Sequence, residues 1–151
     1  TQGTVPILGF NYGAKLYKRV KELVALSMKT ATIIALIIFT VIMTFTPYIV
    51  AGFTNDTELI EQTIPALRLI FLATPLIAVN MIGGAYFQSI GKPIPALLLT
   101  LSKQGFFLIP LILILPMYFG LYGAWYAFPI ADIGATIVSF VFLRKETRKL
   151  D

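Results

Sequence analysis

Three long stretches of the chain, residues 30–55, 69–91 and 104–131, contain no charged side chain, and short charged clusters separate them. An uncharged apolar run of about 20 residues is what a helix needs to cross a hydrocarbon core about 30 Å thick. In lipid only helices and closed barrels satisfy their own backbone polar groups. The pattern predicts four full crossings, over residues 24–48, 64–90, 93–118 and 121–143. The fold class expected is all-α and integral to the membrane: a polytopic helical bundle with four transmembrane helices. Residues 1–14 read as the end of a preceding span, 15–23 as a basic connector, 24–143 as the four-helix transmembrane part and 144–151 as a tail.

Local signals mark the ends of these elements. Leu16, Val20, Leu23 and Val24 stand at helical spacing against Lys15, Lys18, Arg19 and Lys21. That spacing suits either a helix lying in the headgroup plane or a charged loop running into the next helix. Asn55 and Glu58 have capping-box spacing, and Asp56 and Glu58 suit a helix N-terminus. Gly91 is placed to close the second span, with Pro93 in the first turn of the third. Residues 120–123 are expected to form a tight turn between the third and fourth spans. Pro47 falls near the outer end of its span, where a missing donor matters least. Pro65, Pro75, Pro110, Pro116 and Pro129 fall inside or near the ends of spans, and each frees a carbonyl and bends or breaks its helix.

Charge sets the orientation. Lys15, Lys18, Arg19, Lys21 and Lys29, then Lys92, then Arg144, Lys145, Arg148 and Lys149 all fall on one side if the four spans alternate. The other side carries Asp56, Glu58, Glu61 and Arg68. Excess Lys and Arg marks the cytoplasmic face, so the connector, the Lys92 turn and the C-terminus are expected in the cytoplasm. Arg68 is expected to snorkel to the headgroups. Tyr48, Tyr118, Tyr122, Trp125 and Tyr126 cluster toward the opposite interface as an aromatic belt.

Two charges lie at depth. Lys103 is about 15 Å into the third span and Asp132 about 18 Å into the fourth, both measured from the basic side at 1.5 Å per residue. The spans are consecutive and antiparallel, so the two side chains are expected to approach each other or share a polar cavity. A charge in lipid is a functional hypothesis by default. A static pair locking two helices and a pair whose pairing changes during transport both fit the sequence. Asn80, Gln88, Ser102 and Gln104 add uncharged polarity near the same level, for interhelical hydrogen bonds or for a wet pathway. Gly123, Ala127, Ala131, Ala135 and Ser139 follow one another at intervals of four. They form a small-residue ridge that lets another backbone come close. Gly83 and Gly84 serve the same end or act as a hinge.

Composition narrows the function. The chain is 58% hydrophobic and 13% charged, with no cysteine and no histidine. Disulfides, thiolate metal sites and the commonest general base are thereby excluded. The net charge of +5 is accounted for by membrane orientation rather than by nucleic acid. No nucleotide loop, zinc motif, nucleophile elbow or paired acid and base carboxylates appear, so no enzyme and no cofactor are expected. The opening residues TQGTVPILGFNYGA lack an initiator methionine and a signal-peptide pattern. They read as the cut end of a span, in a piece of a larger transporter-sized protein.

Three segments carry a family resemblance. PILGFNYGAKLYKRVKE, with Gln2, Gly9, Asn11, Tyr12, Gly13 and Ala14, resembles the loop after the second helix of a lobe in MATE (multidrug and toxic compound extrusion) transporters. YFQSIGKP at 86–93 is similar to that family's short intracellular turn. WYAFPIAD at 125–132 is similar to its last helix. The resemblance implies the end of the eighth helix through the twelfth of a two-lobe, twelve-helix transporter in the cell membrane. It implies proton- or sodium-coupled antiport of organic cations and drugs by alternating access, with the remaining helices as partners. The family's coupling acids commonly lie in its first and seventh helices. Some members add an Asp in the tenth, which the second span here lacks. Where relatives often carry Arg before Gln in the eleventh helix, this chain has Lys103 before Gln104. A flippase for lipid-linked precursors and a non-transporting membrane scaffold are the alternatives. The flippase would want a markedly cationic cavity, and only Lys103 is at hand.

Overall fold

A computed structural model describes residues 2–150; Thr1 and Asp151, at the outer ends of the first and last expected segments, lie outside the described residues. The helices are α1 (Thr4–Gly13), α2 (Tyr17–Ala51), α3 (Thr57–Ile70), α4 (Ile77–Ser89), α5 (Pro93–Leu101), α6 (Ile109–Phe119) and α7 (Leu121–Thr147). A 3₁₀ turn (Thr74–Leu76) joins α3 to α4, and a π-helical segment (Ser102–Leu108) joins α5 to α6. Four continuous or nearly continuous helical stretches, Tyr17–Ala51, Thr57–Ser89, Pro93–Phe119 and Leu121–Thr147, are long and apolar enough to cross a membrane.

The charged segment after α1 is not a separate piece in the headgroup plane. Helix α2 begins at Tyr17, so Lys18, Arg19 and Lys21 are its first turns. The joint before it is a Schellman motif. Leu16 N–H donates to Asn11 O at 2.9 Å and Lys15 N–H to Tyr12 O at 3.0 Å, with Lys15 in the left-handed region at φ 57°. The same motif closes α4. There Lys92 N–H donates to Phe87 O at 3.0 Å and Gly91 takes φ 72°, the position that favours glycine.

Two further expectations need correction, and one is met. The N-cap of α3 is Asp56, not Asn55. The Asp56 carboxylate accepts from the backbone N–H of Glu58 at 3.0 Å and of Leu59 at 3.3 Å, and its extended backbone (φ −77°, ψ 113°) aims it there. The second span is interrupted by a 3₁₀ turn at Thr74–Leu76, the break expected of a proline inside a span. Proline at 75 removes the donor that would reach the Phe71 carbonyl, and Thr74 Oγ1 supplies a replacement at 2.7 Å. Across the break, Thr136 Oγ1 of α7 donates to Leu76 O at 3.2 Å. With its carbonyls thus satisfied, a broken helix is tolerated inside the membrane. Pro65, Pro116 and Pro129, by contrast, stay within continuous helices. Finally, the α6–α7 turn is the single residue Gly120 rather than 120–123. Its backbone (φ 59°, ψ −142°) is open essentially to glycine alone.

The core sits toward the basic end. Leu8, Val20, Val24, Ile82, Tyr86, Phe87, Leu99 and Leu143 pack there into one buried cluster. Most remaining large apolar side chains on the outer faces, such as Ile37, Val41, Leu113 and Ile137, are exposed, as lipid-facing positions are. Gly123, Ala127, Ala131, Ala135 and Ser139 are all buried along one face of α7. A Cβ on Gly123 would collide with the Leu115 carbonyl and come within 2.7 Å of Pro116 N, so α6 and α7 meet backbone to backbone.

Candidate functional site

In a straight α-helix Lys103 and Gln104 follow directly from α5. Here they open the π-helical segment, the wider turn that single insertions produce and that often marks functional positions. Ser102 Oγ donates to Leu99 O at 2.7 Å at its start. Further along, the ring of Phe107 lies against Gly134 of α7, where an added Cβ would come within 2.7 Å of the ring. The distorted segment is thus seated on α7 at a glycine.

This seating brings Lys103 Nζ to 2.7 Å from Asp132 Oδ1. The two partners differ in access. The Asp132 side chain is 5% exposed and the Lys103 side chain 29%, so the carboxylate lies behind the ammonium. Among the described residues Asp132 has no other charged partner within ion-pair reach. A carboxylate so buried is held in place by its one counter-ion, and removing that counter-ion is far costlier than replacing it.

The pair forms one wall of an open cavity of about 690 Å³ between α4, α5, the π-helical segment and α7. Asn80, Gln88, Lys103, Gln104 and Asp132, read from the sequence as intramembrane polar candidates, all line it. Asn80 is partly engaged: its Oδ1 accepts from Ser139 Oγ at 2.9 Å. No hydrogen bond within the described residues engages the side-chain amide of Gln88 or Gln104, and both residues are exposed to the cavity. Gly84 faces the cavity, while the site of a Cβ on Gly83 is filled by Leu143, Leu99 and Ser139 at 3.3–3.4 Å. The rest of the lining is largely apolar, including Ile77, Met81 and Leu97. An amphipathic molecule fits such a wall better than a strongly hydrated one.

Sequence reading missed Thr100 and Thr136, which also line the cavity, because a threonine in an apolar helix carries no signal of its own. It also missed a contact at the basic end. Lys92, in the α4–α5 turn, pairs with Glu146 of α7, and Glu146 binds Lys149 at 3.2 Å. This fastens the turn to the last helix. Beside it Tyr86 is fully buried, and its hydroxyl has no hydrogen-bond partner among the described residues.

Comparison with known proteins gives a consistent picture. The MatE family model matches residues 1–114. The fold is similar to the MATE multidrug transporter DinF-BH, solved as a complex. The identity is 46% and the TM-score 0.90, over 96% of this chain and 32% of that one. It is also similar to a multidrug resistance MATE family transporter of the MOP superfamily, at 27% identity, over 97% of this chain and 34% of that one. The TM-score is 0.90 to its outward-facing conformation and 0.91 to its inward-facing conformation. A MOP superfamily transporter from Pyrococcus furiosus, whose binding pocket has reversed polarity suggesting a different function, matches at 28% identity. Its TM-score is 0.89, over 97% of this chain and 34% of that one. The chain spans about a third of the length of the structures it matches. A search of curated proteins finds no match.

Proposed function

Because this chain belongs to the MatE family, we propose that it forms the four-helix part of the C-terminal lobe of a multidrug efflux transporter, and that the cavity between α4, α5 and α7 is its share of the substrate pathway. The observation that carries this reading is the cavity itself. It is open, mostly apolar, and holds one ion pair at depth with unengaged amides beside it. Organic cations with apolar bodies are the substrates such a wall suits. Exchange against H⁺ or Na⁺ supplies the energy, and the basic turns and tail face the cytoplasm of the cell membrane.

The near-equal likeness to outward- and inward-facing relatives supports a unit that moves as a body, with the change of access arising where it meets the rest of the transporter. A flippase for lipid-linked phosphates draws no support from the lining, whose one cation is already matched by Asp132.

The test is to fill the cavity. Gly84 has room for a side chain, its nearest neighbour beyond a Cβ being Thr100 Oγ1 at 3.6 Å. In the complete transporter carrying this chain, Gly84→Leu should lower efflux of a fluorescent organic cation at least about tenfold at equal expression, as a blocked pocket costs roughly what its lost contacts supplied. Unchanged efflux removes this cavity from the pathway.

A further inference from the structure

Among the described residues Asp132 is the only carboxylate lining the cavity, and it is already occupied by a cation the protein carries itself. From this we infer that Lys103 is a tethered competitor: a cationic substrate binds at Asp132 by displacing the Lys103 ammonium, so the lysine sets affinity and charge selectivity. This rests on the reading above that the cavity belongs to the substrate pathway.

The geometry requires exchange rather than simple opening. The carboxylate is 5% exposed and has one ion-pair partner among the described residues, at 2.7 Å. If the lysine left with nothing in its place, a bare buried charge would remain, which is strongly unfavourable. If another cation takes the place, the carboxylate stays neutralised throughout. Lys103 has somewhere to go. Its side chain is already 29% exposed, it sits on a flexible four-carbon stem, and the unengaged amides of Gln88 and Gln104 line the same cavity. Its backbone is in the first turn of a π-helical segment, a geometry frequent at functional sites. The substrate's apolar body rests on Met81, Ala85 and Leu97, so apolar contact favours the substrate over the lysine once both compete for one carboxylate. An anion meets the reverse arrangement. It approaches Lys103 first but must separate it from Asp132, and nothing then neutralises the carboxylate.

The experiment is equilibrium binding of two probes of matched size and opposite charge, tetraphenylphosphonium and tetraphenylborate, to the purified complete transporter carrying this chain. Lys103→Met keeps the stem and removes the competitor; it should bind phosphonium about tenfold more tightly, the worth of one charge-assisted hydrogen bond. Lys103→Arg keeps the charge and grips a carboxylate through two parallel hydrogen bonds; it should bind phosphonium about tenfold more weakly. Asp132→Asn should lose phosphonium and gain borate, and Lys103→Met with Asp132→Asn should bind the two probes alike. A purely structural ion pair makes no such ordered series, because Arg would then act as Lys does. If Lys103→Met does not fold, the opposite shift in Lys103→Arg and the loss of charge preference in the neutral double variant still decide the matter. Phosphonium binding that is the same in wild type, Lys103→Met and Lys103→Arg overturns the competitor role while leaving the cavity as the site. Failure of phosphonium to bind wild type and every variant overturns both.

Discussion

At the level of single residues, the two Schellman turns at the basic end form a natural comparison. Gly91 and Lys15 occupy the same position in the same motif, yet only one is glycine. The left-handed backbone costs a residue with a Cβ about 1 kcal/mol. Part of that gain is offset by the larger freedom of glycine in the unfolded chain. Lys15→Gly should therefore raise stability by about 0.5 kcal/mol and the melting temperature in detergent by about 1–2 °C. A lowered melting temperature would mean the Lys15 side chain makes contacts worth more than its strain. Lys103 and Asp132 were legible at this scale for a simple reason. Charges are rare in lipid, and counting residues to the basic end put both at one depth. Thr136 was not legible. Its role depends on a carbonyl sixty residues earlier in the chain, and no local pattern announces that.

At the level of elements, uncharged runs give helices because lipid offers the backbone no other partner. That is why the four crossings could be read directly. Their irregularities could not. Proline at 75 breaks its helix and proline at 129 does not, although the residue is the same. At the first site Thr74 Oγ1 donates to the Phe71 carbonyl that Pro75 leaves without its helical donor, and Thr136 donates to Leu76 O just beyond it. The π-helical turn is equally silent in sequence, since a uniformly apolar stretch shows no periodicity from which a changed register could be noticed. Its seat on α7 can be tested. Gly134→Ala drives a methyl into the Phe107 ring and should cost about 1–3 kcal/mol, as overpacking does. Shortening the ring in Gly134→Ala with Phe107→Leu should recover most of that loss, because contacting sites are not additive. Simple addition of the two effects in thermal unfolding would show that the ring is not what the glycine accommodates.

For the whole molecule, the fastening of Lys92 to Glu146 and the shared core of Leu8, Val20, Tyr86 and Leu143 draw the ends of α1, α4 and α7 and the start of α2 together. The charge pattern alone had already set these segments on one side. The prediction that follows is topological. Single cysteines placed at Thr57 and at Lys92, in a chain with no native cysteine, should be labelled from opposite faces of sealed membranes by an impermeant maleimide. Labelling of both from the same face would dismantle the alternating arrangement.

Helix α2 carries a last consequence. Its 35 residues extend about 52 Å at 1.5 Å per residue, well beyond a hydrocarbon core about 30 Å thick. The surplus is all at one end, where Lys18, Arg19, Lys21, Glu22 and Lys29 ride on it. Sinking the bundle in that direction submerges Lys29 first and then a crowd of charges, so the overhang works as a depth stop. A thicker bilayer must therefore deform around the protein at this edge or tilt the helix, and the charged first turns of α2 limit how deep the unit can sit.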